Sequence, residues 1–202
     1  PDVITSSEVI KKIKPLLDEI EKDGIKLVLK GEAEKNAELR RDMLLATALA
    51  LVLIMISMLY LFNSFRETFI VMSVIPFSIL GVLIGHQVMG LNLSMPSMIG
   101  ALGLAGVVIN DGIIMMTYLK KAKTLDEIFD RATKRFRPII LTTVTTVVGM
   151  LTLILYPSGE AVIFQPIAIA LGFGLAWGTV LNLIYVPVLF TLTHKLRKET
   201  KI

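Results

Sequence analysis

The sequence predicts an all-α membrane protein of five transmembrane helices, preceded by a short N-terminal α/β piece. Three observations predict it. Five apolar runs are each long enough to cross a hydrocarbon core about 30 Å thick. The 202 residues are 54% hydrophobic, with a mean hydropathy of +0.72, a level at odds with a soluble domain of this size. The charged residues gather in loops and at the chain ends instead of spreading evenly, as they do in membrane chains. The formal net charge of +4 does not point to nucleic acid, because the Lys and Arg lie beside apolar spans. Cysteine is absent, which leaves no disulfide framework or thiolate metal site.

Residues 1–42 are polar and read as a fragment of an extramembrane domain. Val9, Ile10, Ile13, Leu16, Leu17 and Ile20 fall on one helical face after Ser6 and Ser7, with Pro15 as a bend. Residues 25–30 alternate like a half-buried strand, and residues 32–42 continue as a charged helix into the first span. One helix and one strand make no core alone, and the chain starts at Pro1 in mid-pattern, so it reads as a piece of something larger. Residues 43–194 hold the five spans, expected at 43–62, 68–89, 97–119, 139–156 and 166–192, with Pro76, Pro138 and Pro187 as their punctuation. Residues 195–202 form a basic tail.

The loops fix an orientation. Segments 63–67, 120–137 and 194–202 carry many Lys and Arg, whereas 90–96 and 157–165 carry none. The positive-inside rule places the first set in the cytoplasm and residues 1–42 outside. Arg40 and Arg41 argue weakly the other way. Within 120–137, Thr124 and Glu127 have capping-box spacing. Leu125, Ile128, Phe129 and Ala132 follow on one face, which predicts a short amphipathic helix near 124–134 on the inner membrane surface.

Asp111 is the residue that most invites a function. A charged side chain at the centre of a span costs about 2.5–3.5 kcal/mol on insertion scales, and such residues mark ion and proton pathways. The five spans hold no Lys or Arg to neutralise it. Either Asp111 is protonated in place or its partner lies elsewhere. Neighbouring Asn110 is about 100° away around the helix and need not share its groove. Thr142, Thr143, Thr145 and Thr146 crowd the fourth span. They supply hydrogen bonds to a buried acid or, more commonly, back-bond to their own helix.

Gly100, Gly103 and Gly106 in the third span, and Gly174 and Gly178 as GxxxG in the fifth, are expected to let helices approach closely. Ten Met residues raise a soft-metal reading, but they are scattered through apolar spans where Met is ordinary filling. His86 reads as a polar residue near the outer interface. No Ser/His/Asp arrangement, phosphate loop or paired catalytic carboxylates occur, so the sequence offers no enzymatic chemistry.

Four motifs occur in order: LFNSFRETFIVMSVIPFSILG (61–81), GLAGVVINDGIIMMTYLKKA (103–122), RFRPIILTTVTTVVGMLTLI (135–154) and YVPVLF (185–190). Together they resemble the C-terminal half of resistance-nodulation-division (RND) efflux pumps, specifically their last five transmembrane helices. The resemblance implies part of a homotrimeric pump of the bacterial inner membrane, driven by protons as coupling ion with no other cofactor. Residues 1–42 would be the periplasmic porter-domain end and the C-terminus cytoplasmic.

The resemblance also implies a partner N-terminal half that is absent here, a periplasmic adaptor and an outer-membrane channel. In the family, aspartates of that N-terminal half pair with the helix matching 97–119. Arg135 and Thr142 match the relay's Arg and Thr on the next helix. Drug pumps carry a lysine where this chain has Asn110. The ionisable role then falls partly to Asp111, or Asn110 hydrogen-bonds acids outside the chain. Heavy-metal members carry a glutamate near that position, and its absence disfavours metal export. The alternatives are a metal, lipid or protein-export relative, or a non-transporting scaffold or sensor that would tolerate Asp111→Asn.

Overall fold

The computed structural model describes residues 12–14 and 32–194, with side chains at 12–14 and 38–194. Residues 12–14 are helical. The remainder of the expected first helix, Pro15, the expected strand at 25–30 and the basic tail at 195–202 lie outside the described residues. The chain divides into two compact units, 1–51 and 52–202. Among the described residues from 32 to 194, six α-helices follow one another: α1 (Glu32–Phe62), α2 (Phe65–Met72), α3 (Val74–Met89), α4 (Met95–Leu119), α5 (Leu125–Leu155) and α6 (Gln165–Thr193). Among the described residues five stretches are long and apolar enough to cross a membrane, with α2 and α3 together making one of them. Helices satisfy every backbone group internally, which is what a lipid environment demands.

Each expected span is present, with instructive shifts. The second is broken at Ser73, three residues before Pro76, which cannot donate to the Met72 carbonyl. The Ser73 hydroxyl donates instead to the Ile70 carbonyl at 2.6 Å. The third begins at Met95. Ser94 caps it, its N–H donating to Ser97 Oγ at 3.1 Å, with Pro96 in the first turn. A 3₁₀ stretch (Gly159–Phe164) leads into α6.

The expectation of a separate surface helix followed by a span opening at Pro138 is corrected. α5 runs unbroken through both, with Pro138 inside. Pro138 removes one hydrogen bond but its fixed φ suits a helix. Ile128 and Ile139 lie eleven residues apart, hence on one face, and both bury in the same core. The helix is therefore held on either side of the proline. The amphipathic face borders an open apolar groove of about 380 Å³ shared with Leu183, Ile184 and Pro187 of α6, and is not spread on a membrane surface alone.

The start of α5 is capped as the spacing predicts. Glu127 N–H donates to Thr124 Oγ1 at 3.3 Å, and Lys123 N–H, one residue before the cap, donates to Glu127 Oε2 at 2.9 Å. Thr124→Ala should cost about 1 kcal/mol of local stability. Hydrogen–deuterium exchange of amides 125–128 should then rise about fivefold; unchanged exchange would show that the cap holds nothing.

Within the second unit α6 is the hub, packed against α3, α4 and α5. It runs parallel to α4. Gly100 faces Ala170, Leu104 faces Gly174, Val108 faces Gly178, and Gly112 faces Asn182, so the partners advance one turn at a time along both helices. It runs antiparallel to α3, where Gly81 and Gly85 abut Trp177 and Phe173.

The glycine expectations divide. A Cβ on Gly100, Gly174 or Gly178 would overlap the neighbouring helix. One on Gly103 would make ordinary contact, and one on Gly106 would meet nothing within 4 Å. Gly106 is exposed and meets no neighbour among the described residues, because three-residue spacing drifts off a helix face that turns every 3.6 residues.

Candidate functional site

Asp111 lies mid-way along α4 and is 7% exposed. It borders a cleft of about 170 Å³ between α4 and α5, closed on one side by Leu175 of α6. Asn110, Arg135 and Thr142 border the same cleft, with Thr143 and Thr146 beside them. The structure thus brings together all four residues that the sequence singled out for a proton relay. Asn110 is exposed yet shares the groove, because the cleft is wide enough to span the 100° between adjacent side chains.

The four are neighbours without being bonded. Among the described residues no side chain hydrogen-bonds Asp111 and no cation lies within ion-pair distance of it. Arg135 stacks over the Tyr118 ring, its guanidinium carbon 3.5 Å from the centroid, a cation–π contact. Its Nε is buried with no hydrogen-bond partner among the described residues. Tyr118, two turns along α4 from Asp111, thereby holds the guanidinium at the cleft. Sequence reasoning missed Tyr118, because its partner lies on the following helix.

The threonines behave as back-bonded residues. Thr142 and Thr143 hydroxyls donate to the Ile139 carbonyl at 2.8 and 3.0 Å, and Thr146 donates to the Thr142 carbonyl at 2.8 Å. Each oxygen keeps an acceptor lone pair. Thr143 also reaches Thr179 of α6 at 2.7 Å.

The cleft thus combines a buried carboxylate, an amide, a cation and hydroxyl oxygens in a space many times a water's need. Such a set can pass a proton to and from a carboxylate through hydrogen-bonded water. Among the described residues there is no group of three or more His, Cys, Asp or Glu able to hold a metal.

Two polar clusters lie away from the cleft. His86 is buried, its Nε2 2.7 Å from Ser97 Oγ and its Nδ1 2.9 Å from the Val82 carbonyl. It therefore ties α3 to the capped start of α4. At the other end of the bundle Glu67 is 5% exposed. Lys120 Nζ stands 2.7 Å from Glu67 Oε2, while its directed hydrogen bond goes to the Phe62 carbonyl at 2.6 Å. His194 Nε2 lies 3.5 Å from Glu67 Oε1, and Arg66 donates to the Thr193 carbonyl at 2.9 Å. One acid therefore gathers the ends of α1, α4 and α6. The only sequence signal was an acid abutting the apolar run at 68–89.

A model of the AcrB/AcrD/AcrF family matches residues 3–194. The chain belongs to this family of RND transporters. It is similar to the multidrug resistance protein MdtC of Erwinia amylovora, 31% identical over 164 residues, which covers 78% of this chain and 16% of that protein. It is also similar to the swarming motility protein SwrC of Bacillus subtilis, 26% identical over 206 residues, 97% of this chain and 20% of SwrC. The cobalt-zinc-cadmium resistance protein CzcA of Cupriavidus metallidurans is 24% identical over 151 residues, 72% of this chain and 14% of CzcA.

Among solved structures, a heavy metal efflux pump superposes with a TM-score of 0.75 at 21% identity, over 93% of this chain and 19% of that one. At that identity the likeness speaks for the fold. The chain thus spans no more than a fifth of the length of these RND relatives. Family membership and the five apolar helices make it a membrane-embedded segment of a transporter family.

Proposed function

We propose that this chain forms part of the membrane domain of a proton-driven RND efflux transporter, and that Asp111 takes up and releases the coupled proton. The observation that carries this reading is the solitary buried carboxylate in a cleft bordered by Asn110, Arg135 and Thr142. Protonation changes the charge buried between α4 and α5. To do work it must favour one helix packing over another. Arg135, held by Tyr118, sets a fixed positive charge on the border of the same cleft.

The exported substrates in this reading are drugs or other amphiphilic molecules, a reading supported by the similarity to MdtC. The protein works in the bacterial inner membrane as a homotrimer, with residues 1–42 periplasmic, the C-terminus cytoplasmic, and an adaptor and outer-membrane channel as partners. A second reading, divalent cation export, is favoured by the similarity to CzcA.

One experiment tests both. The full-length transporter carrying this segment is reconstituted in liposomes with an imposed pH gradient. Added amphiphilic drug should accelerate collapse of the gradient severalfold, and added Zn²⁺ or Co²⁺ should not. Acceleration by the cations alone would select the second reading. No acceleration by either would overturn proton-coupled export.

A further inference from the structure

Asn182 is fully buried on α6 and stands outside the cleft. Its Nδ2 donates to the Val108 carbonyl of α4 at 2.9 Å, an oxygen that the α-helix already pairs with the Gly112 N–H. Among the described residues its Oδ1 has no hydrogen-bond partner. It lies 3.0 Å from where a Cβ on Gly112 would be, a place also 2.6 Å from Val71 Cγ1 of α2. Exchanging the two amide atoms would set Oδ1 against the Val108 carbonyl, so this orientation follows from the contact itself. Asn182 therefore straddles the single turn of α4, from Val108 to Gly112, that carries Asp111.

A fully buried amide with one orphan atom and one redundant bond is a poor way to stabilise a helix pair. A leucine of similar size would fill the place without an unpaired polar atom. What the amide adds is register. The rest of the α4–α6 seam repeats each turn: Gly100 on Ala170, Leu104 on Gly174, Val108 on Gly178. An apolar seam with a one-turn repeat has near-equivalent neighbours one turn away, about 6 Å along the axis. Asn182 breaks that equivalence. It needs a residue without a side chain opposite it, which Gly112 supplies, and a slip of one turn would set it against Val108 or Met116 instead. Fixing register is the best-attested role of lone buried polar residues.

We propose that Asn182 is a positioning residue that locks the register of α4 on α6 and so holds Asp111 level with Arg135 and Thr142. The inference rests on Asp111 being the coupled proton site. The test uses the full-length transporter with Asn182→Leu, Asn182→Asp and Asp111→Asn, assayed for gradient-driven transport across the near-physiological range of about pH 5 to 8. Abundance and thermal stability are measured alongside.

Asn182→Leu should keep wild-type abundance and stability yet lose about tenfold or more in transport, with a displaced pH profile. Asn182→Asp is isosteric and donates to the Val108 carbonyl only when protonated, so its activity relative to wild type should recover toward acid pH. Wild-type transport and an unchanged profile in Asn182→Leu, or a loss that merely follows abundance, would overturn the proposal. If Asp111→Asn is inactive in the same experiment, the proton-site reading survives that result. If Asp111→Asn also transports normally, the proton-site reading falls as well.

Discussion

Asp111→Asn in the full-length transporter is expected to reduce proton-driven export to the level of cells without it, a loss of about a hundredfold or more, at undiminished abundance. The substitution keeps shape and hydrogen-bonding capacity and removes the ionisable group. Stability should not suffer. Asp111 has no hydrogen-bond or ion-pair partner among the described residues, so nothing is orphaned, and a neutral amide is cheaper than a charge to bury. Loss of function with intact protein therefore isolates the proton. The readout is drug accumulation in cells lacking other pumps, with membrane abundance by immunoblot. Full export by Asp111→Asn would move the coupled proton to a group outside this chain.

Gly178→Val is the second large effect, and it acts on folding. A Cβ at Gly178 would stand 2.6 Å from Val108 Cγ2 and 3.3 Å from its Cγ1. Valine has one strongly preferred rotamer in a helix and cannot turn aside. The backbones of α4 and α6 must separate, along a seam that continues through Gly174 and Leu104. Overpacking of this kind costs roughly 1–3 kcal/mol, and the added branches of valine put Gly178→Val at the upper end.

The detergent-solubilised protein should melt several degrees lower and accumulate poorly. Gly106→Ala supplies the contrast, because its Cβ would meet nothing within 4 Å and alanine is the better helix former. It should match or exceed the wild type. If both variants behaved alike, glycine content and not the seam would be what matters.

The contrast between Gly106 and Gly178 also marks where sequence reading stops. Spans are legible because hydropathy is a one-dimensional property: the C-terminal ends of all five were placed to within one residue, whereas the fourth begins at Leu125 and not at 139. Azimuth is not. Gly100, Gly103 and Gly106 look alike in the sequence, yet only the first is pressed against a neighbour. The cleft was legible through Asn110, Asp111, Arg135 and Thr142 because a resemblance supplied pairings across helices that spacing cannot. Tyr118 and Asn182 carried no such cue, and their roles exist only once α5 and α6 are laid beside α4. Pro138 was read as a boundary because a proline removes a hydrogen bond. The core contacts of Ile128 and Ile139 on either side outweigh that loss.

The cluster around Glu67 bears on how the chain is made. Ribosomes deliver α2 long before α6, so Glu67 arrives at the membrane with neither Lys120 nor His194 yet synthesised. Lys120 follows only after a further pair of spans, and His194 only after two more. Through that interval an acid at the mouth of an apolar hairpin stands without its final companions. The fold is therefore clasped from behind: its bundle can be threaded helix by helix, but these ends are drawn together only once Lys120 and His194 have left the ribosome.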